Sequence, residues 1–239
     1  MDLAVRSDDP ERMDHADVDV AEMRRALADL DRLASFLGGW SSSFGPLRTR
    51  LVGRKQVRIL DVGAGSGAMA RALVGEARRR GVDARVVAAD LHPSACRVAR
   101  EVARREDALH VARADARRLP FADGAFDFSF GSLFLHHFDG EELRTILSEM
   151  RRVAREGVVV ADLERSRPAY WGVWLASRLL TRSPVTRHDG PLSVRRAFRR
   201  EDLEEWRRVK GLGGLRWRRA LPFRWVAWTL DPAPEGEAS

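Results

Sequence analysis

The spacing of apolar positions changes near residue 57, and this change divides the chain into two kinds of segment. Upstream, VDVAEMRRALADLDRLASFL at 18–37 places apolar side chains three or four positions apart, which predicts an amphipathic helix. GGWSSSFGP at 38–46 interrupts this helix with glycine, serine and proline, and a short helix is predicted at 48–53. From residue 57 onward, short apolar runs alternate with helical patterns.

Five of these apolar runs predict buried strands. They are VRILDV, ARVVAAD, ALHVARAD, AFDFSFGS and GVVVADL, which end at residues 62, 90, 115, 132 and 163. Helical patterns lie between them in GAMARALVGEARRRG, PSACRVAREVARRE and EELRTILSEMRRVAR, and Asp139 with Glu142 predicts a capping box before the last of these. Strands that alternate with helices predict a parallel sheet covered on both faces.

The chain after residue 163 has a looser pattern. AYWGVWLASRLLTR predicts an apolar helix, SPVTRHDGPLS a loop and REDLEEWRRVKG another helix. LRWRRALPFRWVAWTL predicts two strands on either side of a turn at Pro222, which form an antiparallel hairpin. The expected fold is therefore α/β: a mostly parallel, seven-stranded sheet with a C-terminal antiparallel hairpin and an N-terminal helical lid.

These patterns divide the chain into five segments. We expect an N-terminal helical lid at 1–46, of which the first ten or so residues are mobile, and a core at 47–163. A lid insertion over the substrate is predicted at 164–200, and the core resumes at 201–231. The polar stretch at 232–239 predicts a disordered tail.

Composition narrows the class of protein. A chain of 239 residues with 44% hydrophobic residues can bury a full core. No apolar run approaches the roughly 18 residues that a membrane helix needs, and the acidic N-terminus predicts no secretion signal. Cys96 is the single cysteine, so the sequence has no internal disulfide and no zinc-ligand cluster, and we expect no metal. We expect a cytoplasmic protein.

The formal net charge of +7 raises the question of a nucleic-acid partner. Nearly all of the basic residues are arginines, since lysine occurs only at Lys55 and Lys210, and they are scattered over the polar faces of predicted helices. Such charges usually form a solvated surface. We therefore expect no specific nucleic acid as a partner, and no membrane.

The stretch ILDVGAGSG, from Ile59 to Gly67, indicates a ligand site. Glycines directly after a parallel strand allow a sharp turn and let backbone N–H groups approach a ligand at the carboxyl end of the strand. GAGSGA also fits the dinucleotide pattern G-x-G-x-x-A, so a nicotinamide cofactor is one alternative.

Three acids bear on the identity of the ligand, and two of them, Asp61 and Asp115, discriminate between a dinucleotide and another nucleoside. Asp90 closes the second strand, where a carboxylate accepts hydrogen bonds from the ribose hydroxyls of either kind of ligand. Asp61 lies two residues before Gly63, which suits the ammonium group of a ligand and disfavours a pyrophosphate. Asp115 follows the third strand, within reach of an adenine amino group.

Four successive segments, LDVGAGSG, VVAADLHP, ARADARRLPF and FDFSFGSLFLHHF, resemble the ligand-binding segments of class I S-adenosylmethionine-dependent methyltransferases. The resemblance covers about residues 57–163. It implies a Rossmann-like, doubly wound sheet with S-adenosyl-L-methionine as cofactor. It also implies that ribose is bound by Asp90 and the adenine amino group by Asp115. The other cofactor-binding residues that we expect are Asp61, Gly63, Ala64, Gly65, Gly67, Leu91, Ala114 and Ala116.

Methyl transfer requires an aligned nucleophile and, where necessary, a base that removes its proton. His137 is the first candidate base, and we expect His136 to point to the opposite side and pack. His188 is a candidate from the lid, and each histidine has the alternative of a purely structural role. Asp162, at the end of the fifth strand, is expected to orient the substrate or a base, or to cap the next segment.

The acceptor is expected to be a small organic molecule. DNA enzymes of this fold that methylate amino groups usually carry a D/N/S-P-P-aromatic motif after the fourth strand, and DFSFGSL has no proline there. Trp40, Phe44, Tyr170, Trp171 and Trp174 are candidates for an aromatic pocket. We expect O-methylation of a phenol or other hydroxyl in natural-product or quinone-type metabolism, with C-methylation of an activated ring as the second reading. An NAD-dependent oxidoreductase and a non-catalytic S-adenosylmethionine-binding protein are the alternatives. We expect the protein to be either a monomer or a homodimer.

Overall fold

The structure is a computed structural model that describes residues 3–15, 17–36, 40 and 42–231. Eight α-helices are described: α1 Val20–Phe36, α2 Gly45–Leu51, α3 Ala68–Arg78, α4 Pro93–Ala103, α5 Gly140–Val153, α6 Arg167–Leu180, α7 Pro184–Arg196 and α8 Arg200–Trp206. The seven strands in this part of the chain are β1 Gln56–Val62, β2 Asp83–Asp90, β3 Leu109–Arg113, β4 Phe126–Ser132, β5 Ala154–Leu163, β6 Arg216–Ala220 and β7 Arg224–Leu230.

The seven strands form one sheet in the order β3-β2-β1-β4-β5-β7-β6. The first five are parallel, and β7 pairs antiparallel with both β5 and β6. The mostly parallel, Rossmann-like sheet and the C-terminal hairpin are therefore confirmed. The order reverses direction between β1 and β4, and in open α/β sheets this reversal opens a crevice at the carboxyl ends of the strands.

Alternate residues of β1 bury their side chains on opposite faces of the sheet. Ile59 packs into one core with Phe128 and Phe130, whereas Leu60 packs into the other with Ile146 of α5. Each of these side chains is fully buried, which contributes about 1.5–3 kcal/mol per side chain. Burial on both faces explains why these strands appear in the sequence as continuous apolar runs.

The prediction of a loop at SPVTRHDGPLS is wrong, because these residues form most of α7. Ser183 caps the helix by accepting the backbone N–H of Thr186, and Pro184 occupies the first turn, where proline is tolerated. Pro191 lies inside the helix together with Gly190, and both are buried. Tertiary packing thus outweighs the weak helix propensity of these residues.

The predicted capping box of α5 is also absent. The Asp139 side chain makes no capping hydrogen bond. Glu142 instead accepts a hydrogen bond from Nη1 of Arg117 at 3.0 Å, so its carboxylate is not turned back toward the helix start.

The described part of the N-terminus is packed, in contrast to the expected mobile segment. Leu3 is buried, and residues 3–15, which we call the N-terminal strap, lie against α7 and the loop after β4. Helix α1 then packs on α4, α6 and α7. The lid roles at 1–46 and 164–200 stay predictions, and the predicted tail at 232–239 lies outside the described residues. None of the described helices has the length and hydropathy needed to cross a bilayer.

Candidate functional site

A cavity of about 680 Å³ opens at the carboxyl ends of β1, β2, β4 and β5. The glycine loop after β1 and the segment after β2 line one side, and the loop after β4 lines another. Helix α1 forms a further wall, and it is joined to the glycine loop by a 2.8 Å hydrogen bond from Ser66 Oγ to Asp31 Oδ2. The strand ends thus supply the polar groups and α1 supplies apolar cover.

The glycine loop passes close to the segment that follows β4. Gly63 has φ +68°, and a Cβ at this position would lie 2.1 Å from the ring of Phe134. Its backbone N–H donates to the carbonyl of Ala89, which ties the loop to β2. Gly63, Ala64 and Gly65 line the cavity, as the sequence predicted. Gly67 does not line it and instead starts α3 against Ala99.

Asp90 is held at the end of β2 by two backbone N–H groups. Gly65 donates to Oδ2 and His92 donates to Oδ1, each at 2.9 Å. Burial raises the pKa of Asp90. The carboxylate lines the cavity with Leu91, in the position expected for ribose recognition.

Asp61 is the least satisfied acid of the cavity. It is 1% exposed, and its Oδ2 atom has no hydrogen-bond partner among the described residues. Burial, together with the charge of Asp90, raises the pKa of Asp61 to about 8. The Oγ atom of Ser132, which also lines the cavity, is buried without a partner as well. A ligand that brings an ammonium group and hydrogen-bonding atoms would satisfy both side chains, so the residues present fit S-adenosylmethionine.

Three predicted adenine-side residues lie outside the cavity lining: Ala114, Asp115 and Ala116. The carboxylate of Asp115 is bound to Arg117, with Nη2 at 2.6 Å from Oδ2, and this ion pair lowers the pKa of Asp115. An adenine amino group would therefore have to compete with an exposed ion pair, whose usual strength is about 0.2–1 kcal/mol.

His136 is a buried imidazolium between two carboxylates. Its Nδ1 lies 2.7 Å from Oδ1 of Asp162, and its Nε2 lies 3.5 Å from Oε1 of Glu11. Burial alone would lower the pKa of His136, but the charges and hydrogen bonds of Asp162 and Glu11 outweigh it and raise this pKa to about 10. His136 is thus protonated at neutral pH and is unable to accept a proton. Asp162 holds the His136 ring in place, and its predicted role of orienting the substrate or a base stays a prediction.

His137 also lines the cavity, but it is partly exposed. Its Nδ1 lies 3.0 Å from Oδ2 of Asp14, and the pKa of Asp14 is lowered despite burial by this contact with His137. The two histidine rings are 4.4 Å apart and tilted by 31°. The expectation that His136 points to the side opposite His137 is therefore wrong. Both rings face the same cavity because a short 3₁₀ turn, Leu135–His137, carries them.

The third candidate base is displaced from the site. His188 lies on α7 with its side chain 44% exposed, and its Nδ1 contacts Oδ1 of Asp189 at 2.8 Å. It does not line the cavity. The loop that would have carried it over the substrate is a helix, which turns His188 outward.

The N-terminal strap supplies site residues that the sequence did not reveal. Glu11 and Asp14 reach the two histidines from a stretch with no periodic pattern. Arg6 clamps the strap by donating from Nη2 to the carbonyls of His136 and Phe138, at 3.0 and 2.9 Å. Asp189 of α7 accepts two backbone N–H groups of the strap. These contacts join segments that are more than 100 residues apart, so no local signal predicts them.

One group in the described chain has the spacing of a metal site. Ligating atoms of Glu11, His136 and His137 lie within 4.8 Å of one another. Each of the two histidines also contacts a carboxylate through Nδ1, Asp162 for His136 and Asp14 for His137. The expectation of no metal stays a prediction.

Further wall residues include a buried arginine and a few aromatic rings. Arg224 of β7 is 2% exposed, and burial lowers its pKa to about 10. Of the five predicted aromatic residues only Trp40 lines the cavity, beside Phe134 and Phe138. Phe44 is in the core, and Trp171 is exposed.

Known proteins resemble both the sequence and the fold. Residues 60–161 match the family model of a methyltransferase domain. The ubiquinone/menaquinone biosynthesis C-methyltransferase UbiE of Bordetella avium is 38% identical over 128 residues, which cover 49% of this chain and 46% of that protein. A malonyl-[acyl-carrier protein] O-methyltransferase of Salmonella typhimurium is 33% identical over 183 residues, which cover 70% of this chain and 68% of that protein.

The match is thus partial in length, since the chain spans less than half of the UbiE protein. Among solved structures, a SAM-dependent methyltransferase from Aquifex aeolicus superposes with a TM-score of 0.54 and 17% identity, covering 88% of this chain and 97% of that one. This likeness concerns the fold alone. The aligned segments include the glycine loop and Asp90, and one relative is matched over two thirds of both sequences. The chain therefore belongs to the S-adenosylmethionine-dependent methyltransferases.

Proposed function

We propose that this protein transfers a methyl group from S-adenosylmethionine to a small organic acceptor, with the oxygen of a phenol or other hydroxyl group as the first candidate. One observation carries the proposal. A single cavity of about 680 Å³ joins the acids expected to bind the donor, Asp61 and Asp90, to a partly exposed histidine, His137. Donor and acceptor can therefore meet in one enclosed space, as an in-line transfer requires.

The donor would be held mainly by the strand ends. Asp61 supplies a buried carboxylate for its ammonium group, and Asp90 accepts hydrogen bonds from its ribose. Gly63 and Gly65 have no side chain, so the donor would be able to approach the backbone of the glycine loop closely. When bound, S-adenosylmethionine supplies an electrophilic methyl group, so the protein needs to align the acceptor and take up its proton.

His137 is the residue that we propose as proton acceptor. Asp14 lies 3.0 Å from its Nδ1, which favours the tautomer with a proton on Nδ1 and a lone pair on Nε2. The acceptor O–H would give its proton to Nε2 as the oxygen bonds to the methyl carbon and the bond from that carbon to the donor sulfur breaks, which would leave the donor as a neutral thioether. His136, whose two ring nitrogens face Asp162 and Glu11, would hold the 3₁₀ turn that carries His137.

The apolar part of the cavity supports an acceptor with a hydrocarbon or aromatic body. Leu27 and Leu33 of α1, Phe134 and Phe138 after β4, and Val173 of α6 line it. The relatives of this chain include both C- and O-methyltransferases. Methylation of an activated ring carbon is therefore the second candidate, and it would use the same proton acceptor.

The test is transfer of a labelled methyl group from S-adenosylmethionine to a panel of phenols, activated rings, carboxylic acids and nucleic acids. We expect labelled methyl ethers of a phenol, with little label in DNA or RNA. Label on a ring carbon would favour the second candidate. Failure of the purified protein to bind S-adenosylmethionine, or preferential labelling of nucleic acid, would contradict the proposal.

A further inference from the structure

Helix α6 presents an apolar ridge to solvent. Trp171, Leu175 and Leu179 follow one another at four-residue intervals, so they share one face of the helix. Their exposed fractions are 56%, 52% and 73%. Trp171 is the only tryptophan in the described part of the chain that is more than half exposed. Isolated exposed apolar residues are ordinary, but a continuous row of three large ones marks an interaction surface.

Arginines flank this ridge without carboxylate partners. Arg167 lies four residues before Trp171 and Arg178 lies seven residues after it, so both belong to the same helix face. Arg182 and Arg187 follow beyond the helix end. None of these four forms an ion pair within residues 3–15, 17–36, 40 and 42–231, and the same holds for some exposed arginines elsewhere, such as Arg104 and Arg105, whereas Arg78 pairs with Glu106.

The positive charge of the whole chain is concentrated in residues 165–200, the segment that contains this ridge, and within it Arg165 and Arg196 are buried. Residues 165–200 contain nine arginines and a single acid, Asp189, a net charge of +8. The remaining 33 basic and 34 acidic residues have a net charge of −1. Asp189 is 1% exposed, so no acid of this segment reaches the surface. The interpretation that the arginines are scattered along the chain is therefore wrong.

The opposite side of the same helices borders the cavity. Val173 of α6, together with Gly190 and Ser193 of α7, lines the interior space. The helix pair α6–α7 therefore forms a wall with the cavity on its inner side and the basic, apolar ridge on its outer side.

We propose that this outer face, defined by Arg167, Trp171, Leu175, Arg178 and Leu179, docks on the surface of an anionic lipid bilayer. Helices that lie in a membrane interface combine tryptophan and leucine with flanking arginine, because the apolar side chains enter the acyl boundary while the guanidinium groups meet the lipid phosphates. This surface departs from the expectation of no membrane partner, which rested on the lack of a spanning segment.

Charge and shape favour a bilayer over two other occupants. A second copy of this chain would bring one strongly positive face against another, which costs electrostatic energy. An acidic protein helix requires a groove to receive it. Leu179 has 73% of its surface exposed, so its side chain extends into solvent.

Flotation of the whole protein with vesicles tests the proposal. One set of vesicles contains phosphatidylcholine alone, and the other contains phosphatidylcholine and phosphatidylglycerol at about 7:3. We expect binding to the anionic set only, weakening as salt screens the charges but retained in part by apolar insertion. Leu175→Ser with Leu179→Ser should reduce partitioning at least tenfold, since both leucines lose their apolar burial. Arg178→Glu with Arg182→Glu should reduce it at least twentyfold, from about fivefold per neutralised arginine.

Matched control variants distinguish an effect of this surface on vesicle binding from an effect of the overall charge or hydropathy of the protein. Arg104→Glu with Arg105→Glu changes the net charge equally at the end of α4, and Val52→Ser removes an exposed apolar group after α2. Both should bind vesicles nearly as well as the parent. Absence of binding to anionic vesicles at low salt, equal loss in the controls, or a stable dimer that the leucine variants dissociate would each overturn the proposal. Methyl transfer to a water-soluble acceptor should be unchanged in the ridge variants, so this outcome is independent of the proposed activity.

Discussion

Replacing Asp61 by Asn tests the proposed donor site most directly. Asp61 is buried, its pKa is raised to about 8, and its Oδ2 has no partner within the described chain. At pH 7 such a carboxyl is about 90% protonated, and ionising it costs about 1.4 kcal/mol. A donor whose ammonium group pairs with Asp61 must therefore displace that proton when it binds. Affinity for S-adenosylmethionine should rise about tenfold between pH 6 and pH 7.

The asparagine variant should lose both the affinity and its pH dependence. A charge-assisted hydrogen bond contributes about 1.5–3 kcal/mol, of which the ionisation of Asp61 offsets about 1.4 kcal/mol at pH 7, so the dissociation constant should increase up to about fifteenfold at pH 7 and further at higher pH. The unliganded protein should not be destabilised. Because the folded-state pKa is raised, the folded protein binds more protons than the unfolded chain, and its stability falls as pH rises from about 4 through 8. With asparagine at position 61, this group no longer titrates, so the stability no longer falls over this pH range on its account.

Titration calorimetry at pH 6 and pH 7, in buffers of different ionisation enthalpy, measures affinity and proton release together. We expect nearly one proton released per donor bound in the parent, and none in Asp61→Asn. Asp127→Asn is a matched control, because Asp127 is a buried carboxylate that does not line the cavity. A flat pH dependence in the parent, or an asparagine variant that binds as the parent does, would refute the assignment of Asp61 to the ammonium group.

Three further outcomes follow from the site. His137→Ala should lower kcat about 10²-fold or more while calorimetry shows the donor affinity unchanged, and near-normal turnover would leave alignment as the main source of catalysis. Asp162→Asn should lower the free energy of unfolding by about 3–5 kcal/mol at pH 7, because it leaves the buried imidazolium of His136 with one partner fewer. In the parent, the stabilisation from that imidazolium is fully present below about pH 6.5 and is lost as pH rises to about 10, so denaturant titrations across this window should show a slope that the variant lacks. Asp90→Ala should weaken donor binding at least tenfold, and an unchanged constant would remove Asp90 from the ribose site.

The sequence by itself determined the sheet and the part of the cavity at the strand ends where Asp61, Gly63 and Asp90 lie. Buried parallel strands need apolar runs, and the turn that follows β1 needs glycine, as Gly63 shows by its φ of +68° and its contact with Phe134. These constraints act within a few residues, so they are visible as patterns. The acids at the strand ends follow from them, because parallel strands bring their carboxyl ends to one edge.

Only the tertiary structure decided how the acceptor side is built. Glu11 and Asp162 meet His136 across more than 100 residues of sequence, and their charges decide that it is an imidazolium, which no local pattern indicates. Helix α7 forms through residues that normally break helices because packing compensates for their poor propensity, and its formation turns His188 away from the cavity. The concentration of arginines at 165–200 is visible in the sequence, whereas the fold decides that Arg167 and Arg178 are exposed on α6 and that Arg196 of α7 is buried. Contacts between distant residues and the placement of charges depend on the complete fold. Their effects on the protonation of His136 and on the position of His188 therefore exist only in the folded chain.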